Sequence, residues 1–208
     1  MRCLTLIALI ITSSCFAQKS KLKIEFIVKD TTGTIQADVL KFYVSDLKVL
    51  FHDAVEQDAP QNHYLINFEE NSTTIEIEDL KGKLIRGLDI FIGTDSLVNV
   101  SGAFDGDLDP IHGMYWTWNS GYINIKLEGL FESKPFEYHI GGYSGEHRTL
   151  RRKFLLQDDP KERRLKVELD LNAFFKTIDP HEDMKMMLPG QEAAELATSF
   201  IESIELAK

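Results

Sequence analysis

The alternation of apolar and polar residues predicts a protein built mostly from β-strands. In LKIEFIVKD, residues 22–30, every second side chain is apolar, which places these side chains on one face of an extended segment. Eight further runs of this kind are separated by turn clusters such as KDTTG, EENS and ESKP. We therefore expect an all-β fold, a β-sandwich of about nine strands. The eight runs are residues 39–51, 63–68, 73–80, 84–93, 121–131, 135–143, 149–157 and 164–175.

The C-terminus follows a different period. In LPGQEAAELATSFIESIELAK, Pro189 and Gly190 precede apolar residues that recur at helical spacing. This pattern predicts one short amphipathic helix packed on the sheets. The rest of the chain has no internal repeat and no low-complexity linker, so we expect a single domain over residues 18–208.

Residues 1–17, MRCLTLIALIITSSCFA, are typical of a secretory signal peptide. A basic start at Arg2 is followed by an apolar run and by small residues before Ala17, after which we expect cleavage. The apolar run is too short to span a membrane. A lipoprotein with Cys15 at its new N-terminus is the alternative, but Thr12 stands where such signals usually carry a large aliphatic residue. We expect a periplasmic or secreted protein.

Charge and cysteine content narrow the classes of partner. The chain has 23 basic and 33 acidic residues, and the leader holds one basic residue, Arg2, so the mature net charge is −11. This charge argues against binding to nucleic acid or to an anionic membrane surface. Both cysteines, Cys3 and Cys15, lie in the leader. The mature chain therefore has no disulfide framework and no thiolate metal site.

Catalytic motifs are missing from the sequence. GYSGEH at 142–147 lacks the strand–turn–helix context of a nucleophile elbow. HEDMK at 181–185 lacks the second histidine of a zinc protease motif. We expect a protein that is not an enzyme.

Two groups of residues are candidate metal ligands. Asp105, Asp107 and Asp109 alternate in a loop and could converge oxygen atoms on Ca²⁺, although Asp is also an ordinary turn residue. In HEDMKMM, an imidazole and thioethers suit Cu(I), although Met also fills gaps in apolar cores. The candidate copper ligands of this second group are His181, Met184 and Met186.

Three other histidines and both tryptophans stand out. His139 lies in the strand pattern FEYHIGGY, where alternation predicts that it faces away from Tyr138 and Ile140. A lone histidine in a strand is more often a hydrogen-bonded structural residue than a ligand. Trp116 and Trp118 share a face if extended, either in the core or as a stacking platform. The remaining two candidates, each indecisive alone, are His63 and His112.

The central block IGTDSLVNVSGAFDGDLDPIHGMYWTWNSGYINIKLEG, followed by FEYHIGGY, resembles the MbnP-like family of periplasmic copper-binding proteins. FYVSDLKVL is similar to an early strand of that family, and MLPGQEAAELATSFIESI resembles its C-terminal element. The resemblance covers most of the mature chain. It implies a β-sandwich that binds copper through imidazoles, in which a tryptophan of some members is oxidised to kynurenine by a partner diheme enzyme of the MauG type.

The resemblance also implies roles for individual residues. His139 matches the family's His-Ile-Gly signature and is the first candidate ligand. Trp116 and Trp118 match its Tyr-Trp-Thr-Trp signature, and either is a candidate for oxidation. Relatives often read Tyr-His-Leu where this chain has His63-Tyr64-Leu65, with the first two residues exchanged. The exchange would place His63 on the other face of its strand, so His112 competes with His63 for the role of second ligand.

A binding module of another class is the alternative. A lectin-like sandwich would use the Trp and Tyr side chains of the central block to stack a sugar, with the aspartates of FDGDLDP holding Ca²⁺. Calcium-dependent glycan binding would distinguish this alternative from copper binding.

Overall fold

The computed structural model describes residues 21–80, 82–117, 121–178 and 184–207. It confirms the all-β fold with a short C-terminal helix. In these residues the strands are β1 Leu22–Lys29, β2 Ile35–Phe51, β3 Glu56–Asp58, β4 His63–Asn67, β5 Thr74–Ile77, β6 Ile85–Ile92, β7 Tyr115–Trp116, β8 Gly121–Phe131, β9 Lys134–Gly141, β10 Arg151–Leu156, β11 Arg164–Asp170, β12 Lys185–Met186 and β13 Ile204–Leu206. The helices are α1 Ser96–Ser101, α2 Leu171–Phe175 and α3 Gln191–Glu202.

The strands form two sheets. The smaller sheet has the order β13-β11-β1-β5, in which β1 and β11 are parallel. The larger sheet has the order β10-β6-β2-β8-β9-β12, with β3 and β4 paired to β2 and β7 paired to β8. Its long strand β2 pairs first with β8 and then with β6 along one edge, so β2 connects most of this sheet.

Each of the nine predicted runs contains a strand, and the differences lie at their ends. The run 164–175 ends as a helix, because the Asp170 side chain accepts a hydrogen bond from the N–H of Ala173 and caps α2. The strands β3, β7, β12 and β13 have two or three residues each. Alternation cannot be read in segments of that length.

The main core lies between the two sheets. Phe26 of β1 packs edge-on against Phe42 of β2, with ring centroids 5.6 Å apart. Phe200 of α3 meets the same Phe42 ring at 5.4 Å, so the C-terminal helix closes this core as its apolar period predicts.

The larger sheet also has a covered outer face, which points away from the main core. Segment 93–117 crosses this face and encloses a second apolar group, called here the outer cluster. Asn99 anchors the segment, since its side chain accepts from the N–H of Tyr122 and donates to Thr94 Oγ1, both at 2.8 Å. The outer cluster consists of Tyr43, Leu65, Leu108, Met114, Trp116, Tyr122 and Ile123.

In the part of the chain that the structure describes, no helix has the length and apolar character needed to cross a membrane.

Candidate metal site

His139 lies on the outer face of the larger sheet, near one end of β9. Its neighbours Tyr138 and Ile140 point into the main core, as the alternation predicts. The imidazole Nε2 lies 2.7 Å from Oε1 of Glu128 on the adjacent strand β8. Only 14% of the His139 side chain is exposed, so this hydrogen bond is partly shielded from water.

A tight hairpin between β8 and β9 sets the register of this site. Its two turn residues, Glu132 and Ser133, have φ of 48° and 70°, as type I′ hairpin turns require. Counting back from the turn pairs Glu128 with Glu137, and Lys126 with His139. Because side chains alternate along strands, all four of these paired residues fall on the outer face.

Three side chains here lie close enough together to hold a metal ion. One ligand atom from each of Glu128, Glu137 and His139 lies within 4.8 Å of the other two. Among the described residues this is the one such group of three or more His, Cys, Asp or Glu side chains. All three residues are half-buried. One imidazole and two carboxylates are donors that a divalent transition metal accepts.

The local charges hold Glu128 in its ionised form. Burial acts to raise the pKa of the Glu128 carboxyl, but the hydrogen bond with His139 and the nearby ammonium of Lys126 outweigh burial. The pKa therefore lies below its usual value. The carboxylate is available as a ligand at neutral pH.

Trp116 lies close to this group on the same face. Its ring packs directly on Gly141, where an added Cβ would lie 2.7 Å from Cζ3 of the indole. Gly141 is two residues along β9 from His139, a separation of about 7 Å between Cα atoms. Trp116 is 6% exposed and borders a cavity of about 280 Å³ that is also lined by Tyr143, His147 and Pro189.

Comparison with known proteins identifies the family. A model of the MbnP family matches residues 10–189, most of the chain. The chain belongs to the MbnP family. The structure is similar to that of MbnP from Methylosinus trichosporium, with a TM-score of 0.59, 15% sequence identity and coverage of 84% of this chain and 83% of that chain. At this identity, the likeness of the two MbnP-family structures shows a shared fold. A comparison with curated proteins finds no match.

The two candidate second histidines of this MbnP-family chain are not in the group of three. His63 is on the outer face, but it lies three strands across and four residues along from His139, roughly 20 Å over the sheet. Burial lowers the pKa of His63. His112 lies in the covering segment, and its Nε2 is 3.1 Å from the carbonyl oxygen of Gly106.

The thioether candidates do not join His139. Met184 and Met186 are buried in the main core, and Met186 pairs with Tyr138, whose side chain points into that core. Both therefore fill apolar space, which is the alternative to copper binding that the sequence leaves open for them. Two further candidates, His181 and Trp118, lie outside the described residues.

The predicted calcium ligands have structural uses. Asp107 accepts a hydrogen bond from the N–H of Leu65 at 3.0 Å and so ties the covering segment to β4. Asp109 caps a short 3-10 turn by accepting from the N–H of Ile111 at 2.9 Å. With Asp105, these carboxylates form no group of three ligand atoms within 4.8 Å in the described part of the chain.

The sequence analysis predicts neither Glu128 nor Glu137 as a ligand. A signal for them exists, because the cluster ESKP is a predicted turn between two strands. A two-residue hairpin turn fixes the register, and the register places both glutamates beside His139. The family signature alone points to histidine and tryptophan.

Proposed function

We propose that this MbnP-family protein binds copper as Cu²⁺, with His139, Glu128 and Glu137 as donors. The observation that carries the proposal is the convergence of these three side chains within 4.8 Å on a partly shielded face. Cu²⁺ is the divalent first-row ion that a mixed nitrogen and oxygen site generally holds most tightly. The soft donors that would favour Cu(I), Met184 and Met186, lie on the opposite side of β9.

The proposed role is copper handling outside the cytoplasm, without catalysis. The leader-like residues 1–17 support export, and the absence of cysteine after Cys15 leaves imidazole and carboxylate as the available strong donors. A bound copper ion would supply one-electron redox chemistry next to Trp116. A lectin-like function has less support, because Trp116 and Tyr122 are buried and offer no exposed stacking platform.

Copper binding is tested by titrating the purified protein with Cu²⁺ in competition with a chelator of known affinity. Loss of a side chain that only supports a metal ligand typically weakens metal binding about 10–100-fold. We expect His139→Ala to weaken Cu²⁺ binding by more than this, because it removes a ligand itself. Glu128→Gln and Glu137→Gln should each weaken binding. The electron paramagnetic resonance spectrum of the wild type should show coordination by nitrogen and oxygen.

The matched control is His52→Ala, which removes an exposed imidazole from another part of the chain. It should bind Cu²⁺ like the wild type. Equal affinities of the wild type and the His139→Ala variant would reject the proposed site.

We further propose that a diheme partner of the MauG type oxidises Trp116 to kynurenine. Trp116 packs on Gly141, two residues along β9 from His139, and its ring borders the cavity with Tyr143 and His147. The reaction would cleave the indole C2–C3 bond, with addition of two oxygen atoms supplied by O₂ or by a peroxide oxidant. Hydrolysis of the resulting N-formylkynurenine would then release formate.

Peptide mass spectrometry of residues 105–134 from native cells tests this step. We expect the mass of kynurenine or N-formylkynurenine at position 116, and we expect it to disappear when the diheme partner is deleted. Trp116→Phe is the control, since it should remove the modification without removing a donor. Unmodified Trp116 and Trp118 in copper-loaded native protein would contradict the proposal.

A further inference from the structure

We infer that Lys126 sets the affinity of the proposed copper site by competing with the metal ion for Glu128. This inference rests on the proposed function, and it concerns a residue that is not itself a ligand. Its basis is that Lys126 and His139 both contact the same oxygen atom of Glu128. Oε1 of Glu128 lies 3.3 Å from Nζ of Lys126 and 2.7 Å from Nε2 of His139.

The register holds Lys126 in this position. Lys126 and His139 are direct partners across β8 and β9, and Glu128 is two residues from Lys126 on the same face. The ammonium group therefore approaches the carboxylate from beside the place that a metal ion would occupy between Glu128 and His139. A metal ion coordinated by Oε1 would compete with this ion pair.

The surroundings of Lys126 restrict where its ammonium can go. The covering segment passes over it, since a Cβ added at Gly113 would lie 3.9 Å from Lys126 Nζ. On the edge of β8 opposite His139, the direct partner of Lys126 is Lys41 on β2. Lys41 is itself fixed, with Nζ 2.6 Å from the carboxylate of Glu69 and 3.5 Å from the carbonyl oxygen of His112.

Burial makes the charge of Lys126 effective. The side chains of Lys126 and Lys41 are 20% and 14% exposed, so water screens their charges less than at an open surface. The positive charge of Lys126 would repel a divalent cation at the three donors. The cation would also weaken the ion pair between Lys126 and Glu128. The native site should therefore release copper more readily than its donors alone would allow, which fits an exchange site better than a closed store.

The test compares Cu²⁺ affinities of purified full-chain variants by chelator competition at fixed pH and ionic strength. Lys126→Met keeps the apolar stem and removes the charge, and we expect it to bind Cu²⁺ about tenfold more tightly than the wild type. Lys126→Arg keeps the charge and should stay close to wild type. The matched control is Lys41→Met, which removes a similarly buried charge from the same row of the sheet but leaves the ion pair between Lys126 and Glu128 intact. Lys41→Met should have a much smaller effect.

The outcomes separate this inference from the proposed function. Tighter binding by Lys126→Met alone supports the inference, even if the wild type binds too weakly to measure. If the wild type binds Cu²⁺ and Lys126→Met binds no more tightly, the inference fails and the proposed function stands. If neither protein binds, both fail. Lys126→Gln provides a second charge-removing variant, and circular dichroism with a thermal melt checks that each variant is folded.

Discussion

Replacing Arg152 by methionine is expected to lower the free energy of unfolding by about 2–4 kcal/mol. Arg152 on β10 forms a bidentate pair with Asp89 on β6, with Nε to Oδ1 at 2.9 Å and Nη2 to Oδ2 at 2.7 Å. The Asp89 side chain is only 2% exposed, whereas 51% of the Arg152 side chain is exposed. Loss of the guanidinium would leave a buried carboxylate without its charged partner.

The geometry around the pair adds to this expected loss. The guanidinium lies 4.6 Å from the ring centroid of Phe154 and 5.4 Å from that of Phe91. An ammonium group can approach one ring, but it has neither the planar fork that pairs with both Asp89 oxygens nor a flat face to stack on the rings. Arg152→Lys should therefore recover only part of the lost stability.

Urea denaturation of the wild type and variants would measure the change. Arg164→Met is the control, because Arg164 is an exposed strand residue and its loss should cost no more than about 0.5 kcal/mol. In an Asp89→Leu, Arg152→Met double variant, most of the stability lost in Arg152→Met should return, since no buried charge remains. Equal stability of Arg152→Met and Arg164→Met would refute the assigned role of the pair.

The strand pattern was predictable from the sequence because one face of most strands is buried. In β1 and β9 the alternation of side chains places Phe26 and Tyr138 in the main core, as expected. The alternation is lost at the start of β8, where residues 121–125 are all buried. Here both faces of the sheet are covered, and segment 93–117, which covers the outer one, has the composition of a loop. A local pattern cannot show which distant segment covers a sheet.

The candidate site was predictable only in part, for a similar reason. The face of His139 followed from alternation, but its partners depend on pairing between strands. Glu128 is eleven positions away along the chain and adjacent in space. The position of His63 relative to His139 depends on the order of four strands, which the sequence does not specify. Long-range topology, and not residue type, separates these two histidines.

Replacing Gly141 by alanine is expected to destabilise the protein by about 2–3 kcal/mol, through overpacking against the ring of Trp116. The added Cβ would lie 2.7 Å from Cζ3 of Trp116 and 2.7 Å from the backbone oxygen of Tyr122. Neither neighbour can move freely. Trp116 is held by pairing with Gly121, and the backbone that follows Tyr122 pairs with Gly141 itself. The melting temperature should fall by roughly 4–12 °C.

Gly190→Ala is the control, since no atom lies within 4 Å of a Cβ added there and its expected cost is a loss of about 1 kcal/mol from weaker N-capping of α3. A melting temperature of Gly141→Ala equal to that of the control would show that the ring of Trp116 yields easily.

The same variant, Gly141→Ala, separates packing from metal binding, because Gly141 contacts Trp116 but contributes no donor side chain. The proposed donors Glu128, Glu137 and His139 should keep their strand register in this variant, so its Cu²⁺ affinity should stay close to that of the wild type. The proposed oxidation of Trp116 would depend instead on the position of its ring, so a displaced ring should be oxidised less efficiently even when the proposed copper site is full.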